Sequence, residues 1–240
     1  MRPVSYPRPR SVIRSALLAV GALAALAVPV PAAPQVKHYP LESRDGLRLQ
    51  NVAAEPVVLQ SKKGLRVTMT GEPPQLVPII GSEFANGVIE AEIAGAPAPD
   101  APEGARGFVG IAFRLHDDMK TYDAFYLRPT NGRAEDQERR NHSVQYISQP
   151  EWPWFRLRKE TPAKYESYVD LVPGEWTKIR IDVRGDRARL YVHAQEQPTL
   201  LVNDVKSGAE RTGAVALWLG PGTVGHFRSL SVQPASSRTP

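Results

Sequence analysis

GEWTKIRIDVRGDRARLYV, residues 174–192, carries the pattern that settles the class of fold. Ile179, Ile181 and Val183 alternate with Lys178, Arg180 and Asp182, and Leu190 and Val192 alternate with Arg189 and Tyr191. A period of two is that of a strand with one buried face. Arg184-Gly185-Asp186 between the two runs is a turn signal. The stretch reads as a β-hairpin with Ile179, Ile181, Val183, Leu190 and Val192 pointing inward.

Similar short runs, each closed by Gly, Pro, Asn or Asp, recur on both sides of it. Strands are expected over 47–52, 57–60, 65–70, 87–93, 108–115, 123–128, 143–148, 154–158, 165–169, 200–203, 214–219 and 227–232. In GVIEAEIAG (87–95), Ile89, Ala91 and Ile93 face one way and Val88, Glu90 and Glu92 the other. In FVGIAFRL (108–115), Val109, Ile111 and Phe113 are expected in the core, with Gly110, Ala112 and Arg114 opposite. No segment holds a 3.6-residue apolar period over three turns, so helices should be short or absent. Many strands at regular spacing without a βαβ rhythm imply an all-β fold, a two-sheet antiparallel sandwich of the jelly-roll kind.

The first 32 residues stand apart from this pattern. Arg2, Arg8, Arg10 and Arg14 precede an apolar run, Ser15 to Val28, and then small residues and prolines. That order is the secretory signal pattern, and the run is too short to span a bilayer comfortably. A secreted or periplasmic protein is expected, with no membrane span in the mature chain. The net charge of +5 includes those four arginines, so the remainder is near neutral and nucleic acid is not an expected partner. With no cysteine, stability must come from the core alone. A polar lead-in over 33–45, one sandwich domain over 46–233 and a disordered tail over 234–240 complete the organisation, and a monomer is expected.

Candidate chemistry concentrates between Tyr122 and Asp170. Alternation in AFYLRPTNG puts Tyr126 and Arg128 on one face, and HSVQYIS sets Gln145 and Ile147 opposite Val144 and Tyr146. As a strand, WPWFRLR would align Trp154, Arg156 and Arg158 against Phe155 and Leu157. Aromatic rings beside guanidinium and amide groups suit a pyranose, whose apolar face stacks while its hydroxyls take directed hydrogen bonds. Gln145, Trp154, Arg156, Arg158 and Tyr165 are therefore candidate ligand-binding residues, with Tyr126, Arg128 and His142 beside them, and a carbohydrate is the expected partner. The competing reading pairs these arginines with Glu135, Asp136, Glu138, Glu151, Glu160 and Glu166 in a solvated salt-bridge surface.

Three kinds of chemistry are compatible with the residue types. Glu90 and Glu92 could be the two carboxylates of a glycosidase. An elimination could use His142 or Tyr126 as base, with Arg128 or Arg156 as the electrostatic partner. His116-Asp117-Asp118 could hold a structural calcium. No other cofactor is expected, since the histidines lack zinc spacing and no G-x-S-x-G, phosphate loop or dinucleotide loop occurs.

From Phe84 to Val232 the order F-x-x-G-V-I-E-A-E-I, G-F-V-G-I-A-F-R, Y-x-A-F-Y-L-R-P, G-E-W-T-K-I-R-I-D-V, A-R-L-Y-V and G-A-V-A-L-W-L-G-x-G-T-x-G-x-F-R-S-L-S-V resembles the concanavalin A-like lectin/glucanase superfamily. Within it the chain is most similar to bacterial 3-keto-disaccharide hydrolase-like or laminin-G-like domains. The resemblance implies two curved sheets with a sugar on the concave one, cleaved by hydrolysis or elimination. The E-x-D-x-x-E signature of the glucanases is missing, and Glu90-Ala91-Glu92 lacks its spacing. Arg128, His142, Gln145 and Tyr165 match the lyase members by residue type only.

Overall fold

Leu65, Ile89, Ile181 and Leu217 are fully enclosed because their strands lie in two antiparallel sheets that share one core. The structure is a computed structural model that describes residues 35–71 and 76–235. The expected signal segment and most of the expected tail lie outside the described residues.

In chain order the strands are β1 (Lys37–Tyr39), β2 (Val52–Leu59), β3 (Lys62–Met69), β4 (Leu76–Pro78), β5 (Gly87–Pro97), β6 (Val109–Leu115) and β7 (Tyr122–Leu127). A 3-10 turn, Pro129–Asn131, and helix α1 (Gln137–Asn141) lead into β8 (Val144–Gln149), and helix α2 (Trp154–Glu160) follows. The chain ends with β9 (Glu166–Ser167), β10 (Thr177–Arg184), β11 (Arg187–Val192), β12 (Leu200–Val202), β13 (Ala214–Leu219) and β14 (Thr223–Pro234). Among the described residues the larger sheet runs β12-β11-β10-β5-β14-β3-β2, with β1 also pairing β14. The smaller runs β4-β13-β6-β7-β8-β9. The jelly-roll expectation holds.

The hairpin of residues 174–192 forms as its alternation requires. Ile179 pairs Val192 and Ile181 pairs Leu190, and all four are buried. On the next strand Ile89 lies opposite Ile181, so one apolar row crosses three strands. Burying each such side chain contributes roughly 1.5–3 kcal/mol.

Alternation misleads where the ladder is irregular. Arg114, expected opposite the core, has a φ of 55° at a register shift between β6 and β13. This bulge sends its guanidinium inside, where it donates to the carbonyls of Ala85, Gly185 and Gly208. A second bulge at Ser229, φ 51°, puts Phe227 and Leu230 both inward although they are three residues apart. There β14 passes from pairing β3 to pairing β1, so the expected polar lead-in contains an edge strand. Bulges re-aim side chains in this way.

The stretch 154–158 is the other correction, being helix α2 and not a strand. Its Leu, Arg, Lys and Glu residues are good helix formers, Arg156 pairs Glu160 one turn on, and Leu157 alone is buried. Phe155, which strand parity grouped with Leu157, is exposed.

β6 is buried on both faces, and aromatic rings account for the second face. A side chain at Gly110 would meet Phe125 O at 2.3 Å and Tyr126 Cβ at 2.6 Å. Glycine there lets Tyr126 lie close over the sheet. Replacing Ile181 by Ala should cost about 2–5 kcal/mol through cavity formation, measured as the shift in a urea unfolding midpoint at unchanged m-value.

Candidate functional site

Tyr126 on β7 lies opposite Gly110 on β6 and Gln145 on β8, and Gln145 lies opposite Glu166 on β9. Cross-strand partners share a face, so Tyr126, Gln145 and Glu166 form a row on the side of the smaller sheet away from the core. Trp218 on β13 also pairs Gly110. Its ring stacks on Tyr126 with centroids 4.5 Å apart and planes at 21°, and Phe108 meets Tyr126 edge-on at 6.2 Å.

Arg128 ties the row together. Its Nη2 donates to Tyr126 Oη at 2.9 Å and Gln145 Oε1 at 3.0 Å. Its Nη1 donates to Glu166 Oε1 at 3.0 Å and to the His142 carbonyl at 3.1 Å. From α2, Arg158 donates to Glu166 through Nε at 2.9 Å and also through Nη2. His142 Nε2 lies 3.5 Å from Glu166 Oε2. One buried carboxylate is thus held by two guanidiniums with an imidazole alongside.

These contacts decide the protonation states. Burial alone would raise the Glu166 carboxyl, but the bonds and charges of Arg158 and Arg128 outweigh it and hold it below its ordinary range. Burial lowers His142 and Arg158 and Arg128 add to that, against the pull of Glu166. The imidazole is therefore neutral at neutral pH. Burial drives the Tyr126 phenol up to about 12, although the neighbouring Arg128 charge opposes it.

Above the row opens a hollow of about 380 Å³. Phe108, Tyr126 and Trp154 supply its rings, Arg128, Arg158 and His142 its inner polar edge, and Arg106 and Arg139 further guanidiniums. Trp154 keeps 44% of its surface exposed, which leaves its ring open to a ligand, and Arg158 lies over that ring at 4.8 Å. A second hollow of about 490 Å³ shares Glu138, His142 and Arg158 with the first and reaches Glu166 and Tyr168.

The structure therefore brings together Tyr126, Arg128, His142, Gln145, Trp154 and Arg158. Trp154 and Arg158 meet because they are four apart on a helix, and the strand parity that grouped them was the wrong period. Arg156, grouped with them by that parity, turns to Glu160 and Glu151 and lies 3.9 Å over the Trp152 ring. Tyr165 faces the core, its ring 5.7 Å from Tyr146 and its hydroxyl donating to Asp204 at 2.7 Å.

Glu90 and Glu92 are on β5 in the larger sheet, on the side opposite buried Ile89, Ala91 and Ile93. Glu92 is bound by Lys62 and Arg228, and Lys178 stands 3.9 Å from Glu90. They do not face a sugar held at Tyr126. At His116-Asp117-Asp118, the Asp118 carboxylate accepts from Thr121 Oγ1 and from the Lys120 and Thr121 amides, which lowers it to about 2. Among the described residues no group of three or more His, Asp or Glu is arranged to hold a metal ion.

Sequence reasoning places Glu166 only among several acids in a solvated surface, and it is the buried centre. It misses Phe108, which immediately precedes β6, Trp218 on β13, and Asn131, which accepts from Arg139 Nε and donates to the His142 carbonyl.

No protein-family description matches the chain, and no curated protein sequence does. Solved structures do match. One is a protein of unknown function with a galectin-like fold from Bacillus subtilis, 10% identical, with a TM-score of 0.52 over 84% of this chain and 96% of that one. Another is the VIP36 exoplasmic/lumenal domain in a Ca2+/Man3GlcNAc-bound form, 9% identical, with a TM-score of 0.51 over 86% of this chain and 93% of that one. The fold is a lectin-type sandwich. At these identities the likeness concerns the fold alone, and the site has to be argued from its own residues.

Glu166→Gln would leave two guanidiniums without their shared charge and should cost about 3–5 kcal/mol. Because the folded pKa of Glu166 is depressed, its contribution is full above the ordinary carboxylate range and fades as pH falls through the folded value. Urea titrations from about pH 7 to about pH 3 should show the gap between wild type and variant narrowing with acid.

Proposed function

We propose that the hollow over the smaller sheet binds a glycan and that this recognition is the protein's function. The observation that carries the reading is the pairing of an open aromatic surface, Trp154 beside the Tyr126–Trp218 stack, with polar groups held by bonds to the protein. A sugar ring laid on Trp154 would bury its C–H face while its hydroxyls met His142, Arg158 and the Tyr126 phenol. The Tyr126 oxygen already accepts from Arg128, so its own proton is directed elsewhere and can be donated to a ligand. The volume suits one or two sugar units, since small-molecule sites run from roughly 300 to 1,000 Å³. The lectin-type fold supports the reading, as does the Man3GlcNAc bound in the similar VIP36 domain.

Export agrees with it. The arginines and apolar run of residues 1–32 read as a signal segment, which would place the site where extracellular or periplasmic glycans are met. No helix among the described residues is long and apolar enough to cross a membrane.

A cleaving version, hydrolysis or elimination on a glycan or a 3-keto disaccharide, rests on His142. It is a neutral base at the inner edge of the hollow, and the resemblance to 3-keto-disaccharide hydrolase-like domains favours it. Two features weigh towards binding. Arg128 already spends Nη1 and Nη2 on four protein acceptors, so it is not free to follow a developing charge. Tyr126, with its pKa up to about 12, is a poor base at neutral pH.

Screening the protein against an immobilised glycan array and confirming hits by calorimetry tests the reading. Trp154→Ala should weaken a confirmed ligand at least about tenfold, ~1.4 kcal/mol, with no change in thermal midpoint, because Trp154 is exposed. An array with no ligand sensitive to Trp154 would overturn it. Release of unsaturated or reducing ends from a bound glycan, abolished by His142→Ala, would establish cleavage.

A further inference from the structure

The positive charge around this hollow is only partly neutralised from within the protein. Arg128 and Arg158 share Glu166. Arg106 and Arg139 have no such partner: among the described residues no carboxylate comes within ion-pairing distance of either, although fourteen such pairs form between other residues. Arg106 Nη1 donates to the Glu103 and Ala105 carbonyls. Arg139 donates to Asn131 Oδ1 and to Thr130 through its carbonyl and hydroxyl oxygens. Every one of those acceptors is neutral. Nε and Nη2 of Arg106, and Nη1 of Arg139, have no acceptor among the described residues.

Two separate elements carry these cations to one place. Arg106 ends the Pro- and Gly-rich loop after β5, and Arg139 belongs to α1. The Thr130 amide donates to the Arg106 carbonyl at 3.3 Å while Thr130 accepts from Arg139, so one residue joins both. Arg106 is lowered first by burial and then by the positive charges of Arg139 and, less, of Arg128, against the opposing charge of Glu103. The acids that border the hollow are Asp136 and Glu138. Asp136 spends its carboxylate on the N-terminus of α1, accepting from the Arg139 amide at 2.6 Å. Glu138 is exposed on α1 and acts on the far side, towards His142 and Arg158.

We infer that the glycan taken by this hollow is acidic, and that Arg106 and Arg139 grip a sugar carboxylate, that of a uronic acid, at its rim. The inference rests on the glycan-binding reading above and narrows it. A planar carboxylate accepts paired N–H bonds from a guanidinium fork, which a hydroxyl cannot do. Two half-buried cations with no carboxylate in ion-pair contact make such a bond more favourable than it would be on an open surface.

The test uses the full chain and matched oligosaccharides, oligogalacturonate, oligoglucuronate and oligomannuronate, each beside its carboxyl-reduced neutral form and a sulfated neutral form. Calorimetry should show at least one uronate binding about tenfold or more tighter than its reduced partner, with the gap shrinking as salt rises and screens the charge. In the Arg106→Gln/Arg139→Gln double variant that uronate should fall to the affinity of its reduced form, and Arg106→Lys/Arg139→Lys should keep part of the preference. Equal or tighter binding of the reduced form overturns the inference and leaves the glycan reading standing. A sulfated form that outbinds the uronate overturns the carboxylate assignment. No binding in any set, together with no Trp154-dependent ligand on the array, overturns both. Should the double variant fail to fold, the comparison of charged and reduced ligands on the wild-type protein still decides.

Discussion

The Glu166 carboxylate, held between Arg128 and Arg158, is the contact on which the rest of the site depends. It lies in the sheet's outer row, buried, where taking any one of these charges out of water alone would be prohibitive. Held together, they fix four structural elements at once. Arg128 follows β7, His142 closes α1, Arg158 sits on α2 and Glu166 lies on β9. Two of these elements are too short to be rigid by themselves, since α1 has five residues and β9 two. Short elements keep their geometry here because a shared charge makes each the support of the others.

The fold was legible because three neighbouring strands of the larger sheet follow one rule over the stretches that pair with each other. β5, β10 and β11 alternate cleanly, and the ladder puts Ile89, Ile181 and Leu190 in one row. Legibility fails where a single residue breaks the period. At Arg114 and Ser229 a bulge turns the backbone, and no composition signal marks either, since neither is the glycine that a positive φ favours. At Trp154–Arg158 the failure has another cause. Five residues cannot tell a period of two from one of 3.6, and Trp154 and Arg158 share a face under both.

The candidate site was readable by residue type and unreadable by partner. Tyr126, Arg128, His142 and Gln145 fall within one stretch, so their neighbourhood in space follows from two adjacent strands. Glu166 stood among several acids of the same stretch, and only the β8–β9 register selects it as the one under the arginines. Trp218 reaches Tyr126 through a strand far along the chain. Arg106 comes from a loop whose Pro and Gly content reads as surface slack. Burial and long-range register determine these roles, and neither is carried by local pattern.

The missing side chain at Gly110 has a consequence for how a ligand would be met. Because no Cβ stands between them, Tyr126 and Trp218 settle on each other when the sheet forms. Tyr126 is pinned at its hydroxyl by Arg128 and Trp218 at its indole nitrogen by Tyr122. Their rotamer freedom is spent in folding and need not be spent again on association, so this wall of the hollow is preorganised. Arg106 and Trp154 stand outside that lock. The entropy lost on binding should therefore fall mainly on the rim, and the hollow combines a fixed floor with an edge that adjusts.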